Sequence, residues 1–165
     1  MKCEPLTQLP PGLAQPLGVV GLGSPLMGDD GVGPALVTQL QERLPSIWAH
    51  ELGSDLLGLH NLAPLPPTLI LADAAHTGQL FFGTFALYPH QTLIDQQYGT
   101  LRSAHQLPAL DALALLQQCY PELFHGVALY WLLFEVGDIT MGEGLSPELA
   151  RAVSRAVALL QRHQG

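Results

Sequence analysis

The segment Thr68-Leu69-Ile70-Leu71-Ala72 constrains the fold of this chain more than any other. It is an apolar run bounded by prolines on one side and by Asp73 on the other, which is typical of a strand. Because the run shows no alternation with polar residues, it predicts a strand covered on both faces, as at the centre of a parallel sheet. The chain must therefore supply helices for two sides of that sheet.

The rest of the sequence provides these elements in alternation. Four more strands are predicted over residues 17–22, 47–52, 81–88 and 127–136. Helices are predicted to begin at Gly33-Pro34, at Pro108 and at Ser146-Pro147-Glu148. In the last of these, Ser146 is a suitable N-cap residue, and a proline and an acidic residue follow it in the first turn. Strands that alternate with helices indicate an α/β fold, a three-layer sandwich with a mostly parallel, twisted five-stranded sheet. Ligands of such folds bind beyond the carboxyl ends of the central strands.

The chain length and composition limit the domain organisation. At 165 residues the chain has the size of one domain. Residues 1–16 contain four prolines and are predicted to form an extended arm, and residues 17–165 a single α/β domain. A net charge of -8 disfavours nucleic acids and anionic membranes as partners. The two cysteines lack zinc-site spacing, and neither a signal peptide nor a membrane span is recognisable, so we expect a cytoplasmic protein.

The stretch Gly-Leu-Gly-Ser-Pro-Leu-Met-Gly-Asp-Asp-Gly-Val-Gly-Pro, residues 21–34, lies where the first strand gives way to a helix. A dinucleotide-binding turn needs a third glycine where Leu26 stands, and a phosphate-binding loop needs a lysine that is missing. Asp29 and Asp30 would also repel a phosphate. Two interpretations remain: a flexible turn whose aspartates cap the helix, or a cation site whose glycines give a bulky partner room to approach.

Two further residues favour the cation site. Asp73 follows the apolar strand directly, although an aspartate there is often only a turn or capping residue. His105 precedes the helix predicted at Pro108; a lone histidine is usually a surface or core residue, but a helix N-terminus disfavours the imidazolium and keeps the ring able to bind a metal. Two carboxylates and one imidazole form a mixed set of ligands suited to nickel, zinc or iron.

Three segments together resemble the signature segments of the [NiFe]-hydrogenase maturation endopeptidases. They are residues 21–34, Leu-Ile-Leu-Ala-Asp-Ala at 69–74 and Ser-Ala-His-Gln-Leu-Pro at 103–108, and the resemblance extends from about Leu17 to Leu160. Members of that family remove a C-terminal extension from the large subunit of the hydrogenase. The resemblance implies metal-binding and catalytic roles for Asp30, Asp73 and His105.

The resemblance also implies a partner and a source for the metal. The family acts on the hydrogenase large-subunit precursor after nickel insertion, so the nickel is expected to arrive with the substrate, and no permanently bound organic cofactor is expected. Whether the metal or the two aspartates activate water stays open. The alternative function is a non-catalytic module that senses nickel and docks the precursor.

Some positions depart from the family pattern or have open roles. Ser24 stands where family members commonly have asparagine. Glu51-Leu52-Gly53 stands where they often have Asp-Gly-Gly, and it stays open whether Glu51 replaces that aspartate. Asp29 is predicted to cap the helix or to orient Asp30. His76 is predicted to line the cleft or to be solvated.

Overall fold

A computed structural model describes residues 8–95 and 106–164 of the chain. Its centre is a sheet with the strand order β2-β1-β3-β5-β4. The strands are β1 (Leu17–Leu22), β2 (Trp48–Gly53), β3 (Thr68–Ala75), β4 (Phe85–Pro89) and β5 (Ala128–Glu135). All neighbouring pairs are parallel except β4 and β5, which are antiparallel. The prediction of a mostly parallel five-stranded sheet is confirmed.

Helices cover both faces of the sheet. They are α1 (Val32–Arg43), α2 (His90–Asp95), α3 (Gln106–Cys119) and α4 (Pro147–Arg162), with 3₁₀ helices at Gly28–Gly31, Leu56–Leu62 and Pro121–Phe124. Helices α1 and α4 pack against one face, and α3 with the 3₁₀ helix Leu56–Leu62 packs against the other. Among the residues that the structure describes, no helix combines the length and hydrophobicity needed to cross a membrane.

The central strand and the last helix follow directly from local sequence. All eight residues of β3 are buried, and the strand lies between β1 and β5, as its continuous apolar run predicts. Helix α4 begins where Ser146 accepts a hydrogen bond from the Leu149 N–H at 3.4 Å. Its apolar residues, which include Val153 and Val157, are buried against the sheet and α1.

Two elements differ from the prediction. The fourth strand begins at Phe85 and not at residue 81, because residues 77–84 form a loop that contains Gly83 at a φ of 79°. Helix α2, directly after this strand, was not predicted. The described part of the proline-rich arm forms neither helix nor strand; its Leu9 side chain is buried in the α1–α4 side of the core.

Candidate functional site

The strand order places a switch point between the carboxyl ends of β1 and β3, and we call this place the crevice. From β1 the chain passes through α1 on one face of the sheet to the edge strand β2. It then returns through the 3₁₀ helix Leu56–Leu62 on the other face to β3, on the opposite side of β1. The segments that follow β1 and β3 therefore diverge at the carboxyl ends of these strands. In open α/β sheets this point is where ligands bind.

The glycines of residues 21–34 let α1 approach the sheet closely. A Cβ atom at Gly33 would lie 2.3 Å from the Leu22 carbonyl oxygen, and one at Gly23 would lie 2.0 Å from the Asp30 carbonyl oxygen. Gly23 also has a φ of 116°, which other residues rarely adopt. At Gly23 and Gly33 the protein's own backbone thus fills the space beside the glycine, whereas Gly28 and Gly31 border a groove of about 300 Å³. At Gly23 and Gly33, close packing of the chain and not room for a partner requires glycine.

Asp30 lies in the 3₁₀ helix that follows β1, at the entrance to α1. Its side chain is buried, with 2% of its surface exposed. One carboxylate oxygen, Oδ2, accepts a hydrogen bond from the Ser24 N–H at 2.9 Å. This contact closes the glycine-rich turn around the carboxylate and directs Asp30 toward the neighbouring strand β3, against which this 3₁₀ helix packs.

Asp73 lies near the carboxyl end of β3 and is 1% exposed. Its Oδ1 accepts a hydrogen bond from the Ala74 N–H at 2.8 Å, whereas its Oδ2 has no hydrogen-bond partner among the described residues. Burial raises the pKa of Asp73 from 3.8 to about 8, and the negative charge of Asp30 adds to this rise. The structure therefore brings Asp30 and Asp73 close enough for their charges to interact.

The direction of the Asp73 side chain identifies which helix it faces. Side chains alternate along a strand, and Leu69 and Leu71 pack in the core cluster that includes α3. Asp73 therefore points to the face of the sheet that α3 covers. Helix α3 is described from Gln106 onward, and the predicted ligand His105 lies outside the described residues.

The described carboxyl groups fit part of a cation site. Within residues 8–95 and 106–164, no group of three His, Cys, Asp or Glu side chains is placed to hold a metal ion. Asp30 and Asp73 nevertheless contribute two buried carboxyl groups in one crevice, and the Asp73 Oδ2 atom has no described partner. A buried polar atom without a partner is costly in free energy, and a bound cation would remove that cost.

Asp29 does not cap α1. Helix α1 begins after Gly31, with no side-chain hydrogen bond at its N-terminus. The two carboxylate oxygens of Asp29 instead accept hydrogen bonds from the N–H and hydroxyl of Ser146, at 2.7 and 2.9 Å. Asp29 therefore ties the glycine-rich turn to Ser146, the N-cap residue of α4, and it stabilises the N-terminus of that helix.

Glu51 and His76 lie at the same edge of the sheet as the two buried aspartates. Glu51 is exposed near the end of β2, where the Thr38 hydroxyl donates a hydrogen bond to it at 3.4 Å. It borders a shallow groove of about 300 Å³ that also touches Gly28. His76 directly follows β3 and is half-buried. Within the part of the chain that the structure describes, neither side chain forms a hydrogen bond with Asp73.

A third buried carboxylate, Glu135, is not among the predicted site residues. It is the last residue of β5, where it pairs with Ala75, and it faces the same side of the sheet as Asp73. It accepts hydrogen bonds from the N–H and the hydroxyl of Thr77. Burial raises the pKa of Tyr88, and the charge of Glu135 raises it further. The sequence does contain a signal that could have identified Glu135, because it is an acidic residue at the end of an otherwise apolar strand.

The fold is shared with solved structures of hydrogenase maturation proteases. The [NiFe] hydrogenase maturation protease HybD from Thermococcus kodakarensis has a TM-score of 0.80 at 24% identity, covering 92% of this chain and 100% of that one. HycI from Thermococcus kodakarensis KOD1 has a TM-score of 0.65 at 20% identity, covering 88% and 90%. The hydrogenase maturating endopeptidase HybD from E. coli has a TM-score of 0.65 at 23% identity, covering 90% and 93%.

No protein-family model matches the chain, and no curated protein sequence matches it. At these levels of identity, the structural similarities establish a common fold. They agree with the α/β fold that the alternation of strands and helices in the sequence predicts.

Proposed function

We propose that this chain is an endopeptidase that removes the C-terminal extension of a nickel-loaded [NiFe]-hydrogenase large-subunit precursor. The observation that carries the proposal is the pair of buried, electrostatically coupled aspartates, Asp30 and Asp73, at the crevice between β1 and β3. The fold supports it, since structures named as hydrogenase maturation proteases share it over nearly their whole length. The three signature-like segments contribute these aspartates and His105.

In this proposal Asp30, Asp73 and His105 bind the nickel of the precursor. The nickel belongs to the substrate, so the protein needs no metal of its own and no organic cofactor. Before the precursor binds, Asp73 is largely protonated at neutral pH, because its pKa is about 8. A divalent cation in the crevice would compete with this proton for the Oδ2 atom, which has no hydrogen-bond partner among the described residues. Binding of the nickel would thereby position the peptide bond beside the two carboxyl groups.

Hydrolysis requires that a water molecule loses a proton as its oxygen attacks the carbonyl carbon, and that the departing amine gains one. A neighbouring carboxylic acid and carboxylate can perform both transfers, as two carboxyl groups in different protonation states do in other hydrolases. Substrate nickel can instead polarise the carbonyl and acidify the water. If the aspartate pair activates water with Asp73 protonated, kcat/KM falls as the pH rises through about 8. If Asp73 acts only as an ionised nickel ligand, kcat/KM rises over the same range.

The test is to incubate the purified protein with nickel-loaded and with nickel-free precursor and to follow the intact mass of the precursor. The proposal predicts loss of the C-terminal extension from the nickel-loaded form alone. A stable complex with the loaded precursor and no loss of mass would support the alternative, a non-catalytic nickel-sensing and docking module. Equal cleavage of both forms would contradict the role of nickel. The proposal also includes a cytoplasmic location, which cell fractionation would check.

A further inference from the structure

Two aromatic side chains project from the loop between β3 and β4. Phe81 is 88% exposed and Phe82 is 47% exposed. The loop, residues 77–84, leaves the carboxyl end of β3, four residues after Asp73, so both rings lie at the edge of the sheet that carries the buried aspartates. Exposed apolar groups that cluster beside a crevice mark sites where other molecules bind.

Glu135 fixes the loop at both of its ends. Its carboxylate accepts hydrogen bonds from the Thr77 hydroxyl and, at 3.0 Å, from the Thr77 N–H. Its own N–H donates to the Thr84 carbonyl oxygen at 2.8 Å, and its carbonyl oxygen accepts from the Gly83 N–H at 3.0 Å. The side chain and the backbone of one buried residue thus hold the first and last residues of the loop.

Other contacts restrain the middle of the loop. The Thr84 hydroxyl donates to the Phe81 carbonyl oxygen at 2.6 Å, and the guanidinium of Arg155 donates to the Gly83 carbonyl oxygen at 2.9 Å. Because these bonds are made to the backbone around the two rings, the aromatic side chains are held in the solvent by a defined loop conformation. Such an arrangement leaves apolar surface exposed at a cost in free energy, unless a partner covers it.

We propose that Phe81 and Phe82 form a docking surface for an apolar segment of the precursor next to the bond that is cut, and that Glu135, through Thr77, positions this surface. The inference rests on the proposed function.

The charged residues around the two rings indicate which kind of segment binds there. Gly137, which lies beside the Phe82 ring, is followed by the exposed acidic residue Asp138.

A second acidic residue, Glu148, lies against Gly83, where the guanidinium of Arg155 also binds the Gly83 carbonyl oxygen, so two of these three charged residues are acidic. With a net charge of -8, the protein as a whole repels acidic partners. An apolar segment flanked by basic residues fits this surface, and a segment flanked by acidic residues does not.

The first experiment measures kcat and KM for nickel-loaded precursor with a variant that carries both Phe81→Ser and Phe82→Ser. Both side chains are on the surface, so the substitutions remove docking area without opening the core. We expect KM to rise roughly tenfold, equivalent to about 1.4 kcal/mol of binding free energy, with little change in kcat. The matched control is Leu115→Ser on α3, which removes an exposed apolar side chain, 49% exposed, that borders a different surface pocket.

The second experiment tests whether Glu135 acts through the loop. Thr77→Val removes the hydroxyl that the Glu135 carboxylate binds, and Thr77→Ser keeps it. We expect Thr77→Val to raise KM, Thr77→Ser to leave it near the wild-type value, and Thr77→Val to have no further effect once Phe81 and Phe82 are replaced. Such non-additivity is a property of residues that act through one surface. If Thr77 had a purely structural role, Thr77→Val would raise KM by the same factor whether or not Phe81 and Phe82 are replaced.

The outcomes separate this inference from the proposed function. If the wild-type protein cleaves the precursor and the double serine variant has an unchanged KM, the docking surface is wrong and the function stands. If the wild-type protein does not cleave nickel-loaded precursor, the function is wrong. In that case, calorimetry of precursor binding to the wild-type protein and to the double serine variant tests the docking surface independently of cleavage. Equal affinities of the two proteins for the precursor would overturn the docking surface.

Discussion

Replacing Asp73 by asparagine should stabilise the folded protein at alkaline pH while abolishing the proposed activity. Asparagine has the shape of the protonated aspartic acid, and its side-chain oxygen can accept the hydrogen bond that the Ala74 N–H donates to Asp73. Its amide cannot ionise. The variant therefore keeps the packing and removes the charge that burial disfavours.

The size of the effect follows from the pKa of Asp73, which is 3.8 in an unperturbed chain and about 8 in the folded protein. Between these values the folded chain retains a proton that the unfolded chain has released, so the free energy of unfolding falls as the pH rises. Each pKa unit corresponds to about 1.4 kcal/mol, which sets an upper limit of about 6 kcal/mol for the destabilisation above pH 8. We expect a few kcal/mol, since the site relaxes around the charge.

The assay is urea unfolding of the wild-type protein and the Asp73→Asn variant at a series of pH values from 4 to 9. The two proteins should be equally stable near pH 4, and the variant should become the more stable one as the pH rises. The control is Glu42→Gln, which removes an exposed carboxylate near the far end of α1. A constant difference between the Asp73→Asn variant and the wild type across the range would refute the assignment of a raised pKa to Asp73.

Three more substitutions test the surroundings of the crevice. Asp30→Asn should lower the pKa of Asp73, because the charge of Asp30 contributes to its rise; carboxyl NMR titration measures this, and an unchanged pKa would mean that the two groups do not interact. Asp29→Ala removes both hydrogen bonds to Ser146 and should lower the free energy of unfolding by about 1–2 kcal/mol, whereas an unchanged urea midpoint would show that this link is not stabilising. Gly33→Ala should destabilise the protein by about 3 kcal/mol or more, since its Cβ would lie 2.3 Å from a backbone oxygen; a soluble variant with the wild-type melting temperature would contradict this packing.

Short sequence patterns were sufficient to predict the central strand and the last helix. The continuous apolar run of β3 predicted its central position, and the Ser146-Pro147-Glu148 sequence predicted the beginning of α4. Both signals lie within a few residues, so sequence alone contains them. The aspartate at the end of the central strand was likewise recognisable as a site candidate, because strand order places such residues at the ligand-binding edge.

Hydrophobicity misled the prediction where apolar residues are exposed. Phe81 and Phe82 resemble the beginning of a strand, but the strand begins only at Phe85. Their exposure depends on the bonds that Thr77 and residues 83–84 form with Glu135, which is 58 residues from Thr77 in sequence. Periodicity within a short window carries no information about such distant partners.

The same limit applies to the glycine-rich turn. Asp29 binds Ser146, which is 117 residues away, so its role was not accessible from its neighbours. The glycines were predicted to leave space for a partner, whereas at Gly33 the backbones of β1 and β3 occupy that space. Close approach of a helix to a sheet is a property of the folded state, and a glycine in the sequence does not distinguish it from an open cleft.

The most direct test of the central claim, that the buried aspartates act on a nickel-bearing precursor, is the intact mass of nickel-loaded precursor after incubation with matched variants. Asp73→Asn should leave the precursor at full length, because it replaces the ionisable carboxyl group whose Oδ2 atom has no hydrogen-bond partner among the described residues. Glu42→Gln, at an exposed position near the far end of α1, should release the C-terminal extension at the wild-type rate. Processing by the Asp73→Asn variant at the rate of the Glu42→Gln control would contradict the account.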